Sequence, residues 1–413
     1  QRDKGSGQLR RLICRRPGLE DMAMDAYRLC CVSLVIMWAS SVRANVGIYF
    51  GSGHTLKLKT SSQIQLVSED VSINAFPWSA GGSSHGVATY IGQYVLKNLT
   101  SELTTIKVGF PIDSDDSIER ARTGLWRSDL VTELVLNLGF IARDETDTYH
   151  VGLGLDAIIP SRWILHWKMT FGAHETRKLT IRYQLPIAFE LASARRDPEK
   201  VESLGDLEKA LGGCLIYRVD YITETGASWA GLIEGAVFRV NVEPFRRYLE
   251  EKTFAQLFGG ASGSKWPGTL LHLKPRVFIR AMPDGWRDSE HGLLLSLKDY
   301  KPGPPVSIRL IATFIPNTPE ALGLVIQNAY GPKPRQDELM RFREILLAAM
   351  GKPAVAEDEA HLVEQFLWYR PNERFSIGCL AAKDRAILEK LDALIEAARS
   401  EPTARRSPGK HRR

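Results

Sequence analysis

A chain of 413 residues has room for roughly two or three domains, and its 44% hydrophobic and 25% charged residues are an ordinary globular composition. The net charge of +6 lies at the ends: the first 44 residues hold eight Lys/Arg against four Asp/Glu and residues 395–413 hold six against two, which leaves 40 basic and 42 acidic residues between. This near-neutral body has no basic–aromatic stripe and no zinc-finger spacing, which argues against nucleic-acid recognition.

The segment from Met22 to Ala44 has the layout of a secretory signal peptide. A short charged lead ends at Arg28, an apolar run covers residues 29–39, and small residues precede the expected cut. We expect cleavage between Ala44 and Asn45, and therefore a secreted or periplasmic protein. A lasting anchor needs roughly 20 apolar residues, so we expect no permanent membrane span after processing. The alternative is a buried helix at an ordinary amino terminus.

Residues 1–21 precede the candidate start methionines, and we set them aside as a spurious or disordered extension. From Asn45 to about residue 190, apolar residues alternate between turn signals, which predicts short strands. Two β-hairpins are predicted, one joining 87–96 to 106–110 and the other joining 163–171 to 179–183. Further strands are predicted at 134–140 and 151–155, with a helix over 128–138 as the alternative for the first.

An Asp-Pro start and a Gly-Gly end predict a helix over 197–211. Strand patterns then resume, with one helical piece at 244–258. The strands are predicted at 215–224, 236–242, 276–281, 292–297 and 306–314. The sequence therefore predicts a mainly β fold, with a β-sandwich-like body over 45–315. That body is either undivided or made of two sub-domains, 45–190 and 213–315, joined by the helix.

Prolines between 316 and 334 mark a change of composition, after which helical periodicity predicts a three-helix domain over 336–398. Its helices are predicted around 339–349, at 357–366 and at 380–398. Because so short a segment buries only a small core, we expect it to dock on the β body or to rely on aromatic packing. Residues 401–413 form a basic tail that we expect to be disordered.

Two cysteines, Cys214 and Cys379, remain once the signal peptide is removed. They could form one disulfide, but two separately buried thiols are the favoured interpretation. Neither Cys30 nor Cys31 lies at the end of the apolar run, so a lipid-anchored amino terminus is not expected.

Three stretches of the body form a recognisable set. They are a strand ending in Phe110-Pro111 after an Asn-centred turn, the strand–turn–strand around Trp167 and Phe171, and the loop Thr225-Gly-Ala-Ser-Trp-Ala-Gly-Leu-Ile233. Together they resemble a family of secreted bacterial proteins known only as a domain of unknown function. The loop has Ser228 and Leu232 where the family has Asn and Pro. The resemblance, over about 45–315, implies export and architecture rather than a reaction.

The segment 336–398 contains Trp368-Tyr-Arg-Pro-Asn372, then Phe375-Ser376, with Leu380 opening the last helix. This pattern resembles a YARHG domain, a small extracellular module of bacterial envelope proteins. The name-giving motif is matched in part, with Ala349 and Met350 where the family has Arg and His. The resemblance implies a location in the envelope and no established reaction.

Two serine motifs bear on whether the chain is an envelope hydrolase. Gly226-Ala-Ser228-Trp-Ala230 nearly matches a nucleophile elbow, but it lies between predicted strands instead of at a strand-to-helix turn. Ser262-Gly-Ser-Lys265 matches S-x-x-K, but it lies in a Gly/Ser loop instead of opening a helix. The histidines show no paired metal-ligand spacing. We therefore predict no catalytic residue, no metal site and no cofactor.

Aromatic and cationic residues are the candidates for binding. Trp229 in the 225–233 loop is one candidate, and the group Trp368, Tyr369 and Arg370 could hold a glycan or peptide by stacking and hydrogen bonds. For Trp368 the favoured alternative is a place in the small helical core, with Arg370 facing outwards. The sequence thus predicts an exported, non-enzymatic binding or structural protein whose partner is a cell-wall, outer-membrane or envelope protein component. An envelope hydrolase with an unrecognised site is the alternative.

Overall fold

The computed structural model describes residues 47–50, 55–58, 61–80, 83–113, 138–159, 162–193, 213–257, 270–303, 305–357, 360, 363 and 366–400. The predicted signal peptide, the helix over 197–211 and the tail from 401 lie outside the described residues. So do most of the stretch 128–138, both Ser262 and Lys265, and six positions of the predicted helix at 357–366.

Strands account for most of the regular structure, which confirms the predicted mainly β fold with a C-terminal helical module. The strands are β1 (Gly47–Phe50), β2 (Thr55–Leu58), β3 (Ile64–Ala80), β4 (Ser83–Asn98), β5 (Thr104–Asp113), β6 (Ile141–Arg143), β7 (Gly152–Asp156), β8 (Arg162–Phe171), β9 (Thr176–Pro186), β10 (Ala188–Ser193), β11 (Gly213–Tyr221), β12 (Ile233–Asn241), β13 (Arg276–Met282), β14 (Arg287–Ser289), β15 (Gly292–Tyr300) and β16 (Val306–Thr313). The helices are α1 (Glu243–Glu251), α2 (Phe254–Leu257), α3 (Pro319–Tyr330), α4 (Gln336–Ala349) and α5 (Ala382–Ser400). Within the described ranges, no helix is long and apolar enough to cross a bilayer.

The strands form three sheets. A seven-stranded sheet has the order β14-β15-β12-β3-β4-β9-β6, and its only parallel pair joins β3 to β12. A four-stranded antiparallel sheet has the order β10-β11-β16-β13. The remaining five strands, β1-β2-β7-β8-β5, close on themselves. The parallel pair places β3 and β12, far apart in sequence, side by side at the centre of the largest sheet.

Neither of the two hairpins predicted from the sequence exists. β4 pairs with β3 and β9, whereas β5, the next strand, pairs with β1 and β8. Likewise β8 pairs with β5 and β7, whereas β9 pairs with β4 and β6. Both connections therefore cross from one sheet to another. Alternating apolar residues are required by either arrangement, because each of these four strands has one face in a core, so periodicity located the strands but could not pair them.

Asn98 holds the two crossing connections together. Its side-chain nitrogen donates to the carbonyl oxygens of Glu102 and Gly172, each at 2.8 Å, so it joins the turn after β4 to the turn after β8. Its side-chain oxygen accepts from the backbone N–H and the hydroxyl of Thr100, at 3.0 and 2.9 Å. The side chain is fully buried and every hydrogen-bonding direction of its amide is used.

Replacing Asn98 should therefore loosen both connections. We expect Asn98→Ala to lower the free energy of unfolding by about 2–4 kcal/mol, because it leaves buried partners unsatisfied. Asn98→Asp should be as harmful, since a carboxylate oxygen would face two carbonyl oxygens. Leu99→Ala, at an exposed neighbouring position, should change the stability by less than about 0.5 kcal/mol. Urea denaturation of the three variants measures this; equal losses at positions 98 and 99 would contradict it.

Aromatic side chains join the sheets into one core. Tyr221 of the four-stranded sheet packs edge-on against Phe238 of the seven-stranded sheet, with ring centroids 5.6 Å apart. Phe110 of the closed sheet lies 4.6 Å from Tyr183, which is also on the seven-stranded sheet and stacks on Tyr90. The buried hydrophobic residues form a continuous cluster that extends into the C-terminal helices. Phe238, Tyr90 and Tyr183 point to the same side of the largest sheet, so both neighbouring sheets pack on that one face.

The C-terminal helices dock on β13, the edge strand of the four-stranded sheet. Trp368 stacks on Phe278 of that strand at 5.3 Å, and Arg276 forms an ion pair of 2.5 Å with Asp384 of α5. Arg280 donates to the carbonyl oxygen of Leu367 at 3.1 Å. The β body therefore supplies much of the surface on which this small module packs.

Two helix predictions need correction. Helix α3 was missed because Pro319 was treated as a helix breaker; it occupies the first helical turn, where its missing N–H costs nothing, and Thr318 caps the helix by accepting from Ala321. The predicted helical piece at 244–258 is divided at Lys252 and Thr253 into α1 and α2.

The thiols also differ from the favoured interpretation. Cys214 and Cys379 do not form a disulfide; Cys214 is buried, and burial raises its pKa to about 12, but Cys379 is exposed.

Candidate functional site

A β-bulge in β3 decides which residues face the core. The pairing with β4 slips between Leu66 and Ser68, so Val67 is an extra residue on β3. Before the bulge the even-numbered Ile64 and Leu66 are buried; after it the odd-numbered Val71, Ile73 and Ala75 are buried. The change of parity sends Glu69 inwards and Asp70 outwards, on opposite faces of the sheet.

Glu69 is the acidic end of a buried hydrogen-bond chain. The Tyr221 hydroxyl donates to Glu69 Oε2 at 3.3 Å, and the hydroxyls of Tyr221 and Tyr94 are 3.0 Å apart. Because Tyr221 has only one hydroxyl proton, which it gives to Glu69, Tyr94 must be the donor in the second bond. Gly92 makes this chain possible: a β carbon there would lie 2.3 Å from the Tyr94 hydroxyl oxygen.

Burial raises the pKa of Glu69 to about 7, although the hydrogen bond from Tyr221 acts in the opposite direction. The carboxyl is 2% exposed, so it does not itself contact solvent or a dissolved ligand. The same burial raises the pKa of Tyr94 and of Tyr221 well above their usual range, so both phenols stay protonated. This network is a proton-binding element of the core.

The raised pKa has a defined effect on stability. Glu69 stays protonated up to about pH 7 in the folded state but ionises near pH 4.5 in the unfolded chain. Its contribution to the stability of the fold is therefore complete below pH 4.5 and is lost as the pH rises to about 7. The Glu69→Gln variant cannot ionise at this position. Between pH 4.5 and pH 8 we therefore expect its free energy of unfolding to rise by about 3 kcal/mol relative to that of the parent.

Guanidinium denaturation at pH values from 4 to 8 tests this prediction. Tyr221→Phe provides a second variant: it removes a hydrogen bond that lowers the pKa of Glu69, so the loss of stability should extend to higher pH. A stability difference between parent and Glu69→Gln that stays constant over this range would contradict the assignment.

The opposite side of β3 lines an open cleft of about 570 Å³, a volume within the usual range for ligand sites. We call this solvent-facing side of the seven-stranded sheet, with Asp70, Gln93, Lys178 and Arg143 on four successive strands, the outer face. The cleft is lined by Ser68, Asp70, Gln93, Tyr94, Val95, Arg143, Asp144, Glu145, Lys178, Leu179 and Thr180. Polar groups of both charge signs therefore surround it.

Asp144 is fixed at one side of the cleft. Its carboxylate accepts from the backbone N–H groups of Thr146 and Asp147 at 2.8 and 2.7 Å and from the Tyr149 hydroxyl, and it lies 3.3 Å from Arg177 Nη1. Burial on its own would raise the pKa of Asp144, but these hydrogen bonds outweigh it and lower the pKa to about 2. Its negative charge is thus permanent and held in place.

The other charged groups of the cleft are on exposed side chains. Asp70 contacts Arg239, and both side chains are more than two-fifths exposed. Glu145 and Lys178 are 3.8 Å apart and nearly three-quarters exposed. Such exposed pairs contribute little to stability, so these groups can exchange their protein partner for a polar ligand at small cost.

Two exposed aromatic residues continue the outer face along β3. Phe76 and Trp78 are 42% and 53% exposed and have the same parity as Asp70, so they point to the same side. Pairing with β12 ends at Asn74 and pairing of β4 with β9 ends at Val87, so residues 77–80 and 83–86 extend beyond the sheet as a two-stranded arm. We call this the aromatic arm.

The binding candidates chosen from the sequence lie elsewhere. Trp229 is 3% exposed, in the segment where Ala230 bonds to Ile64 at the start of β3. Trp368 is 4% exposed and stacks on Phe366 and Phe278. The structure brings Trp368 and Tyr369 into the helical module, not next to Trp229.

Tyr369 and Arg370 differ in exposure. The Tyr369 hydroxyl accepts from the Ala354 N–H at 2.9 Å and donates to the Lys352 carbonyl at 3.4 Å, so it closes the helical module. Arg370 is exposed. The sequence contains a signal for Phe76 and Trp78, which were missed. The apolar residues fall on even positions up to Leu66 and on odd positions from Val71, which places these two even-numbered residues on the solvent-facing side.

The serine of the elbow-like motif is buried. Ser228 is 2% exposed and lies in a 3₁₀ turn between β11 and β12, not at a strand-to-helix turn. Within the described part of the chain, no group of three His, Cys, Asp or Glu side chains is placed to hold a metal ion.

Comparison with known proteins adds a structural likeness. No protein-family model matches the chain, and no curated protein matches it. Among solved structures it is similar to a Legionella pneumophila protein described as a "putative nutrient binding protein", with 16% identity and a TM-score of 0.36. That match covers 85% of this chain and 99% of the other. A likeness of this degree carries no inference about function.

Proposed function

We propose that the chain is a non-enzymatic binding protein of the bacterial cell envelope, and that its ligand lies on the outer face of the seven-stranded sheet. The observation that carries the proposal is the continuity of polar cleft and aromatic arm on one side of β3. Asp70 and Trp78 share that side and are eight residues apart, or about 26 Å along an extended strand. A surface of this length suits an extended polymer better than a small molecule.

A glycan polymer has the matching chemistry. Its hydroxyl groups pair with amide, carboxylate and guanidinium groups such as those of Gln93, Asp70 and Arg143, while the apolar faces of its rings pack on aromatic side chains such as Trp78. The permanent charge of Asp144 orients donors at the rim of the cleft. Peptidoglycan is the glycan of the compartment that the predicted signal peptide implies.

The proposal also includes export from the cytosol and the resemblances to the two families. The signal-peptide layout of residues 22–44 and the YARHG-like pattern around Trp368 support a location in the periplasm or outside the cell. The helical module would then act as a docked support for the β body, since its aromatic residues Phe366 and Trp368 are committed to packing.

Co-sedimentation of the purified protein with peptidoglycan sacculi tests the proposal. We expect saturable binding, weakened about tenfold by Trp78→Ala and by Arg143→Ala, which corresponds to about 1.4 kcal/mol each. Leu103→Ala and Lys333→Ala are matched controls, because each removes an exposed side chain outside this face.

Two results would contradict the proposal. One is the absence of saturable binding to sacculi. The other is equal weakening by the control variants, which would indicate non-specific adhesion. Release of soluble fragments from sacculi, abolished by Ser228→Ala, would instead support a hydrolase.

A further inference from the structure

Three arginines lie side by side on the four-stranded sheet. Arg218 of β11 is directly opposite Arg309 of β16, and Arg309 is directly opposite Arg280 of β13. Directly opposed residues point to the same side of a sheet, and neighbouring strands are about 4.8 Å apart. Three positive charges are thus placed within about 10 Å. We call them the arginine row; the side that carries them also carries Phe278, on which the helical module docks.

The protein's own carboxylates balance this row only in part. Glu190 is 3.5 Å from Arg218, and Arg280 donates to the Leu367 carbonyl. Asp220 faces the same side two residues beyond Arg218, where its carboxylate accepts a hydrogen bond of 2.5 Å from Ser307 and adds a second negative charge against the three positive ones. In the part of the chain that the structure describes, Arg309 has no ion pair. Like charges that are directly opposed destabilise a sheet, so an anion bound beside these three arginines would stabilise it.

Two donors of the row are buried without an acceptor. The Nε atoms of Arg218 and Arg309 are both inaccessible to solvent and make no hydrogen bond with any described residue. A buried donor without a partner is costly, and native structures avoid it. Both unsatisfied donors are on adjacent residues of the row, so one group that reaches them, once the arginine side chains move to admit it, can satisfy both.

We propose that the arginine row is a binding site for a phosphate group. A tetrahedral oxyanion offers several acceptor oxygens to the forked donors of neighbouring guanidinium groups, and it supplies the missing negative charge. A carboxylate has two oxygens and reaches fewer of the three side chains. The site lies on a different sheet from the outer face, so this inference is independent of the proposed glycan binding.

Thermal unfolding in sodium phosphate and in sodium chloride at matched ionic strength tests the site, with isothermal titration calorimetry for affinity. A ligand that binds only the native state raises the unfolding midpoint. We expect a saturable rise for the parent with phosphate, and affinity for phosphate at least about tenfold higher than for acetate. Arg309→Gln should abolish the rise, yet leave the midpoint in chloride unchanged or higher, because it relieves repulsion within the row.

Two further variants make the result decisive. Arg309→Lys keeps the charge but not the forked donors, so it should fold and weaken phosphate binding about tenfold. Arg287→Gln removes an exposed arginine from the seven-stranded sheet and should behave as the parent does. The proposal is overturned by no phosphate effect on the parent, by equal effects in the parent and both Arg309 variants, or by equal affinity for acetate. Trp78→Ala should leave phosphate binding unchanged, whatever it does to binding of sacculi.

Discussion

The bulge at Val67 is the constraint on which the arrangement of the body depends. β3 is the strand that pairs with β4 on one side and with the distant β12 on the other. Without the extra residue, Val71 and Ile73 would face solvent, because a shift of one residue exchanges the two faces of a strand. The bulge keeps the apolar residues on both sides of Val67 in the core. It also determines where the strand's polar and aromatic residues point.

Glu69 is the cost of that arrangement. Restoring the apolar parity places a carboxyl group in the core, where a charged form is unfavourable. The hydroxyls of Tyr221 and Tyr94 provide hydrogen bonds, and Gly92 provides the space for the second phenol. Burial favours the neutral acid, and the hydrogen bond donated by Tyr221, which stabilises the carboxylate, offsets this only in part. Asp70, the residue after Glu69, points to the opposite side of the sheet and lines the solvent-facing cleft.

Sequence patterns located the strands well but not their partners. The stretches at 163–171 and 179–183 are strands, as predicted, yet they belong to different sheets, and Asn98 bonds to the turn that follows the first of them. Hydrogen bonds between residues so far apart in sequence leave no periodic trace. By contrast, the inward faces of α4 and α5 follow directly from their spacing, with Leu339, Phe342, Ile387 and Leu391 all buried.

The site was harder to predict for a different reason. Tryptophan is large enough to serve a core or a binding surface, and composition does not distinguish the two roles. Trp368 is part of a stacked pair with Phe366, whereas Trp78 is on a strand that extends past its neighbours. In the sequence, only the alternation of apolar positions along β3 indicates that Trp78 is exposed. Between Leu66 and Val71 the apolar residues change from even to odd positions. This change predicts that Trp78 faces outwards only if it is interpreted as a bulge within one strand and not as the boundary between two strands.

The helical module and the arginine row share one strand, and this connects stability to ligand binding. On β13, Arg276 and Arg280 hold the module through Asp384 and Leu367, while Arg280 also borders Arg309. An anion bound at the row would take hydrogen bonds from the Arg280 guanidinium. It would use either the N–H group that now donates to the Leu367 carbonyl or another N–H group of the same side chain. Either way the ligand would contact the boundary between sheet and helices. We therefore expect phosphate binding at the proposed site to alter the docking of the module as well as the charge of the sheet.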